Sequence, residues 1–176
     1  MPPHTYLSVR QLVEKQRNPA DPFDLGEFDF AHLPSGHAPM VDFVDNPWLG
    51  ELINTLHEEG VLISLICHGP VAMASAKYRV SADGQGALLC RSPLRCEVLF
   101  SKVGFLKIPG QKTRTTYYVD EALKEAGYKV ETVAPNPGDI KVIWEPTVRV
   151  LTGDGPQAVD EQSAVLRAQV GTKRNT

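Results

Sequence analysis

The segment Ile66-Cys67-His68-Gly69-Pro70 holds the residues of this chain best suited to chemistry. A cysteine thiolate is a strong nucleophile, and an adjacent histidine can take or hold the thiol proton. The apolar run Val61–Ile66 precedes this segment and the small residues Val71–Ala76 follow it, which predicts a buried strand, a sharp turn and a helix. We therefore predict that Cys67 is a nucleophile and that His68 acts as its base.

The predicted turn gives the thiol of Cys67 two physical advantages. The positive end of the following helix favours thiolate over thiol. The backbone N–H groups of His68 and Gly69, in the first turn of that helix, could hold an oxyanion beside the sulfur. The alternative is that Cys67 is a small buried apolar residue at the end of a strand, which is common for free cysteine.

A second turn, Pro34-Ser35-Gly36-His37, follows the predicted strand Phe28–Leu33. The carboxyl ends of parallel strands meet at one edge of a sheet, where chemistry collects in such folds. We therefore expect Gly36 and His37 to face the same crevice as Cys67, although a histidine in a water-exposed turn has the same pattern. Asp154, in Gly153-Asp154-Gly155-Pro156, is predicted to serve turn and helix-cap chemistry.

Strands alternate with helices along the chain, which predicts an α/β fold with a mostly parallel sheet. Asn46-Pro47 is a typical helix start, and Gly60 is a typical end. The predicted strands are Phe28–Leu33, Val61–Ile66, Glu97–Ser101, Tyr128–Val133 and Val148–Thr152, and the predicted helices are Pro47–Glu59, Pro70–Ala76, Thr116–Ala126 and a last helix that ends near Val170. A short amphipathic segment lies around Leu7–Gln16.

Composition narrows the class of protein. The chain has 176 residues, of which 42% are hydrophobic and 22% charged, as expected for one globular domain. A net charge of −3 gives no basic surface for nucleic acid. No apolar run is long enough to span a membrane and the start lacks a signal-peptide pattern, so a cytoplasmic location is expected.

The cysteines do not predict a metal site. Cys67, Cys90 and Cys96 lack zinc-type spacing, so no metal and no cofactor are predicted. Free thiols are expected in a reducing compartment, and a Cys90–Cys96 disulfide under oxidation stays open.

Three segments together resemble the ThiJ/PfpI family of the class I glutamine amidotransferase-like superfamily. They are Phe28–Phe43 with its Pro-Ser-Gly-His turn, Ile66–Ala72 with Cys-His-Gly-Pro, and Val150–Ala158 with Leu-Thr-Gly-Asp-Gly-Pro. The resemblance covers roughly residues 24–170 and implies a flavodoxin-like three-layer sandwich, often dimeric. It also implies Cys67 and His68 as catalytic residues, with Gly36, His37 and Gly69 in the oxyanion pocket.

The resemblance also sets domain limits. It implies a domain over residues 28–170, a polar segment over 1–27 and a tail over 171–176. The family usually begins with a strand-helix-strand unit whose first strand carries a glutamate beside the cysteine. No segment before Phe28 matches that unit, so the first strand-helix unit is predicted to be missing. An acidic residue expected shortly after the Phe100 strand has no match either.

The branch with histidine after cysteine resembles glyoxalase III. This implies an enzyme that acts without a cofactor on a small reactive carbonyl, converting methylglyoxal to lactate. Two alternatives stay open at this stage. One is a non-enzymatic, stress- or redox-responsive protein or chaperone of the same family, and the other is a cysteine peptidase-like hydrolase.

Overall fold

A four-stranded sheet of order β1-β2-β6-β5 organises the computed structural model, which describes residues 6–34, 36, 38–78, 95–98, 117–132 and 140–173. A separate two-stranded sheet pairs β3 with β4. The strands are β1 (Phe30–Leu33), β2 (Leu62–Ile66), β3 (Arg95–Val98), β4 (Lys129–Thr132), β5 (Val142–Glu145) and β6 (Val150–Gly153).

Helices fill most of the remaining described chain. No helix among the described residues is both long enough and apolar enough to cross a membrane. The α-helices are α1 (Val9–Arg17), α2 (Pro39–Asp42), α3 (Pro47–Glu58), α4 (Val119–Glu125) and α5 (Val159–Lys173), and 3-10 helices span Leu25–Glu27, Gly69–Lys77 and Pro156–Ala158.

Strand β2 lies inside the larger sheet. All five of its residues are buried, and it pairs in parallel with β1 on one side and β6 on the other. A strand buried on both faces needs apolar residues throughout, as the run Val61–Ile66 provides. The predicted α/β fold with a mostly parallel sheet is confirmed.

The sequence did not predict β5, which runs antiparallel to β6. Its sequence, Val142-Ile143-Trp144-Glu145, contains three residues of high strand propensity, so a signal was present, but the run is shorter than the four to eight residues by which strands are recognised. The two-stranded sheet is parallel, with Cys96 opposite Val130. The predicted strand Glu97–Ser101 therefore begins earlier, at Arg95, and its part beyond Val98 lies outside the described residues.

Helix α3 begins as its sequence predicts. The side-chain oxygen of Asn46 accepts hydrogen bonds from the N–H groups of Trp48 and Leu49, each 3.1 Å long, and Pro47 opens the helix. Gly60 closes it with a φ of 67°, a conformation that glycine adopts without strain. These caps set where α3 stops and therefore where β2 begins.

The two faces of the sheet carry different layers. Ile63, Leu65 and Val150 belong to the apolar core shared with α3, the Gly69–Lys77 helix and α4. Ser64 points to the opposite face, because side chains alternate along a strand, and there it meets Gln162 of α5. Helices on both faces of a mostly parallel sheet give the predicted flavodoxin-like sandwich.

The N-terminal segment packs against this sandwich. Val13 of α1 and Leu25 are buried in the same core, and Arg17 forms an ion pair of 2.9 Å with the buried Glu51 of α3. The division of the chain at residues 27 and 170 remains a prediction.

The contact between α3 and the Gly69–Lys77 helix generates a test. A Cβ atom on Gly50 would collide with the backbone oxygens of Ser75 and Tyr78. We expect Gly50→Ala to lower the free energy of unfolding by about 1–3 kcal/mol, because backbone cannot move aside cheaply. Urea denaturation followed by circular dichroism measures this.

A matched control is available in α5. A Cβ on Gly171 meets no atom within 4 Å, so Gly171→Ala should raise stability by about 0.5–1 kcal/mol through helix propensity. Equal effects of the two substitutions would contradict the close helix contact at Gly50.

Candidate nucleophile site at Cys67

Cys67 lies at the end of β2 in a left-handed backbone conformation, with a φ of 57°. Its N–H donates to the carbonyl of Gly153 over 2.9 Å, which ties the turn to β6. A non-glycine residue in this region costs about 1 kcal/mol or more, and such strain is concentrated at functional positions. The strand, strained turn and helix match the arrangement that exposes the nucleophile of α/β hydrolases.

The thiol of Cys67 lies beside an imidazole. Its Sγ is 3.3 Å from Nδ1 of His68, within hydrogen-bond distance for sulfur. Cys67 is half-buried, whereas His68 is buried with 9% of its surface exposed. The ring is thus positioned to exchange a proton with the thiol, and the sulfur keeps a path to solvent.

Gly69 allows the turn to sit close to β1. A Cβ atom at this position would lie 2.8 Å from the backbone oxygen of Leu33, the last residue of β1. Any side chain would therefore push the Cys67 turn away from the end of β1. Gly69 also opens the 3-10 helix, where backbone N–H groups lack partners within the helix.

Of the predicted second turn, the structure describes only part. Gly36 follows β1 with a φ of 130°, and a Cβ there would meet no atom within 4 Å, so backbone conformation alone favours glycine. His37 lies outside the described residues, as do Ser35 and Cys90. The carboxyl end of β1 nevertheless lies at the same edge of the sheet as Cys67.

Asp154 is a site residue whose role the sequence did not predict. The pairing of Ile66 with Gly153 places Cys67 and Asp154 at the next step of neighbouring strands, about 5 Å apart in backbone. Asp154 has no exposed surface, and among the described residues its Oδ1 has no hydrogen-bond partner. Its Oδ2 accepts a long bond of 3.5 Å from Nε2 of Gln157.

The environment of Asp154 alters its protonation. Burial raises the pKa of the Asp154 carboxyl, against the opposing effect of backbone hydrogen bonds from Lys141 and Gly155. The predicted helix-cap role is wrong, because Gly155 is the cap of the following 3-10 helix and no side chain caps it. An acid directly after a buried strand was the available signal for this carboxyl.

Within the part of the chain that the structure describes, no three His, Cys, Asp or Glu side chains are grouped closely enough to hold a metal ion.

Two curated relatives match most of the chain. The chain is 27% identical over 149 residues to "Probable glutathione-independent glyoxalase hsp3103" of Schizosaccharomyces pombe, a match to 83% of the chain and 54% of the relative. It is 27% identical over 164 residues to "Protein/nucleic acid deglycase HchA" of Staphylococcus aureus, covering 89% of the chain and 53% of the relative. The chain thus spans about half the length of these relatives. No family model matches.

Solved structures share the fold. Rapid Encystment Protein 24 KDa of Francisella tularensis aligns with a TM-score of 0.62 at 21% identity, covering 85% of this chain and 61% of that one. Glyoxalase III of Candida albicans aligns with a TM-score of 0.54 at 18% identity, covering 84% of this chain and 59% of that one. At such identities the likeness supports the architecture and says nothing of activity.

The strained conformation of Cys67 predicts an unusual order of stability. Cys67→Gly should be about 1 kcal/mol more stable than Cys67→Ala, because glycine adopts a φ of 57° without the steric cost that Cβ imposes. Urea denaturation of the two variants measures the difference. As a control, Ala168→Gly at an exposed position of α5 should lower the free energy of unfolding by about 0.5–1 kcal/mol. Equal stability of the two Cys67 variants would contradict the strain.

The buried carboxyl of Asp154 predicts a pH dependence. A raised pKa means that the folded state holds its proton above the ordinary value of 3.8, so stability falls as the pH rises through and above that value. Asp154→Asn mimics the protonated form and should raise the melting temperature more at pH 7 than at pH 4. A larger gain at pH 4 would contradict this assignment.

The three sequence segments, the three-layer fold and the two curated relatives indicate the same family resemblance. The turn at Cys67 is where the family pattern places its reactive cysteine, and both curated relatives align across this region of the chain. The two curated relatives and the shared fold therefore support the resemblance to the ThiJ/PfpI family, and to its glyoxalase III-like branch, that the sequence segments indicate.

Proposed function

We propose that this chain converts a small reactive carbonyl, methylglyoxal, to lactate without a cofactor, with Cys67 as nucleophile and His68 as base. The observation that carries the proposal is the strained Cys67 turn, in which Sγ lies 3.3 Å from Nδ1 of His68. A histidine at this distance can take the thiol proton as the sulfur attacks.

The reaction divides into three balanced steps. The sulfur of Cys67 adds to the aldehyde carbon, and the former carbonyl oxygen takes a proton, giving a hemithioacetal. His68 then removes the hydrogen of that carbon and a proton returns to the neighbouring carbon, while the hydroxyl proton of the hemithioacetal passes to the former ketone oxygen; these two proton transfers convert the adduct to a thioester of lactate. Water cleaves the thioester, releasing lactate and the thiol, so one water is consumed and no electrons leave the substrate.

Other residues of the site support these steps. In the proposal the N–H of Gly69 stabilises the oxyanion that forms when the thiol adds, and Gly36 and His37 line the same pocket. Asp154, whose pKa burial raises, is proposed as the proton donor to the developing alkoxide. These roles are inferred from the positions of the residues, and measurement of lactate formation tests the roles of Cys67 and His68.

The names of the relatives support the substrate class. One is called a glutathione-independent glyoxalase and the other a deglycase, and both names indicate reactive carbonyl chemistry. This chain spans about half of each relative. Its activity, its domain limits and its assembly into a homodimer are therefore proposals. Sedimentation over a range of concentrations would test the homodimer.

Lactate formation from methylglyoxal tests the function. We expect the native chain to form lactate, Cys67→Ser and Cys67→Ala to fall to the uncatalysed background, and His68→Asn to lose about 10²–10⁴-fold in kcat. His57→Gln, which alters a histidine at the far end of α3, serves as the matched control and should keep full activity.

Three further outcomes separate the alternatives. If Cys67 reacts with iodoacetamide or dilute peroxide faster than in unfolded chain but no lactate forms, the redox-responsive protein replaces the enzyme. If Cys67→Ala retains lactate formation, Cys67 is not the nucleophile. Cleavage of an unstructured protein substrate that depends on Cys67 would favour the peptidase-like hydrolase.

A further inference from the structure

A chain of hydrogen bonds crosses the sheet face opposite the apolar core. Gln162 of α5 is buried, with 3% of its surface exposed, and its Nε2 donates to the backbone oxygen of Leu65 over 2.9 Å. The same Nε2 donates to Oγ of Ser64 over 3.0 Å. Oγ of Ser64 in turn lies 3.1 Å from Nδ1 of His32 on the edge strand β1.

The bonds made by Gln162 have a fixed direction. The carbonyl of Leu65 can only accept, so the Gln162 amide must present its NH₂ group to it, and Oγ of Ser64 then accepts the second hydrogen. The Ser64 hydroxyl keeps a hydrogen of its own, which it can donate to Nδ1 of His32. In the tautomer that accepts this bond, the ring carries its hydrogen on Nε2.

The neutral form of this ring is favoured as well. Burial lowers the pKa of His32, with a smaller opposing effect of a hydrogen bond to the backbone of Ser64. His32 is otherwise exposed at the sheet edge, so Nε2–H is its accessible donor.

A groove of about 210 Å³ lies beside this ring, between β1, β2 and the first half of α5. Its apolar walls are Phe30, Ile66, Val159 and Leu166. Among the described residues, none that lines it carries a carboxylate, an ammonium or a guanidinium group. The lowered pKa of His32 favours an uncharged ring in the polar wall at neutral pH.

We propose that this groove binds a small apolar molecule through one neutral carbonyl oxygen, which accepts a hydrogen bond from Nε2–H of His32. The size of the groove fits one aromatic or branched aliphatic body. The lack of a facing charge favours a ketone, ester or amide over a carboxylate. The groove is separate from the Cys67 site. Ile66, which lines the groove, directly precedes Cys67 in the chain, but the groove opens on the face of the sheet that α5 covers.

Acetophenone and ethylbenzene form a matched pair of probes, since they differ mainly in the carbonyl oxygen. We expect acetophenone to bind weakly, with a Kd on the order of 1–10 mM, by ligand-observed NMR. His32→Phe should weaken acetophenone about three- to tenfold and leave ethylbenzene unchanged, because one hydrogen bond is lost and the apolar walls remain. Equal effects on both probes, or no binding of either, would overturn the proposal.

Three further measurements locate the site. Val159→Trp should fill the groove and abolish binding, while alkylation of Cys67 should leave binding unchanged. Nitrogen-15 shifts of the imidazole should show hydrogen on Nε2 of His32 in the native chain. Hydrogen on Nδ1, loss of binding on alkylation, or a concentration-dependent dimer that occludes the groove would each overturn the proposal.

Discussion

The left-handed conformation of Cys67 is the constraint on which the rest of the site depends. A non-glycine residue holds that conformation only when its surroundings supply more stabilisation than the strain removes. Here the N–H of Cys67 is bonded to Gly153, and Gly69 lets the turn press against the carbonyl of Leu33. The chain segments on either side of β2 are thus both needed to keep the sulfur where it is.

The two faces of β2 perform different tasks. Ile63 and Leu65 lie in the apolar core and stabilise the fold through hydrophobic burial, which is not directional. Ser64 lies on the other face, where hydrogen bonds with defined donors and acceptors connect α5 to the edge strand. Strand β2 therefore joins two different environments. On one face, apolar side chains can repack, and on the other, hydrogen bonds require fixed partners.

Much of this arrangement could be predicted from the sequence because it depends on local signals. The apolar run before Cys67, the Asn46-Pro47 helix start and the Gly60 helix end each act within a few residues, and each appears where the sequence placed it. Strand β5 was missed because its run of strand-forming residues, Val142-Ile143-Trp144, is only three residues long.

The site was less predictable than the fold. That Cys67 and His68 are adjacent is visible in the sequence, but the 3.3 Å between Sγ and Nδ1 depends on side-chain directions. The burial of Asp154 follows from the pairing of β2 with β6, which joins residues far apart in the chain. The link between His32, Ser64 and Gln162 also joins distant segments, and no local pattern announces it.

Gly153 connects these observations in a way that bears on how the sequence can change. A Cβ atom there would collide with Oε1 of Gln162, while its own carbonyl holds the N–H of Cys67. A substitution at this position would disturb both faces of the sheet at once. Random mutagenesis with selection for Cys67-dependent activity, or for binding in the groove beside α5, should therefore leave residue 153 unchanged. A designed library should keep this glycine constant and vary the residues that line the groove.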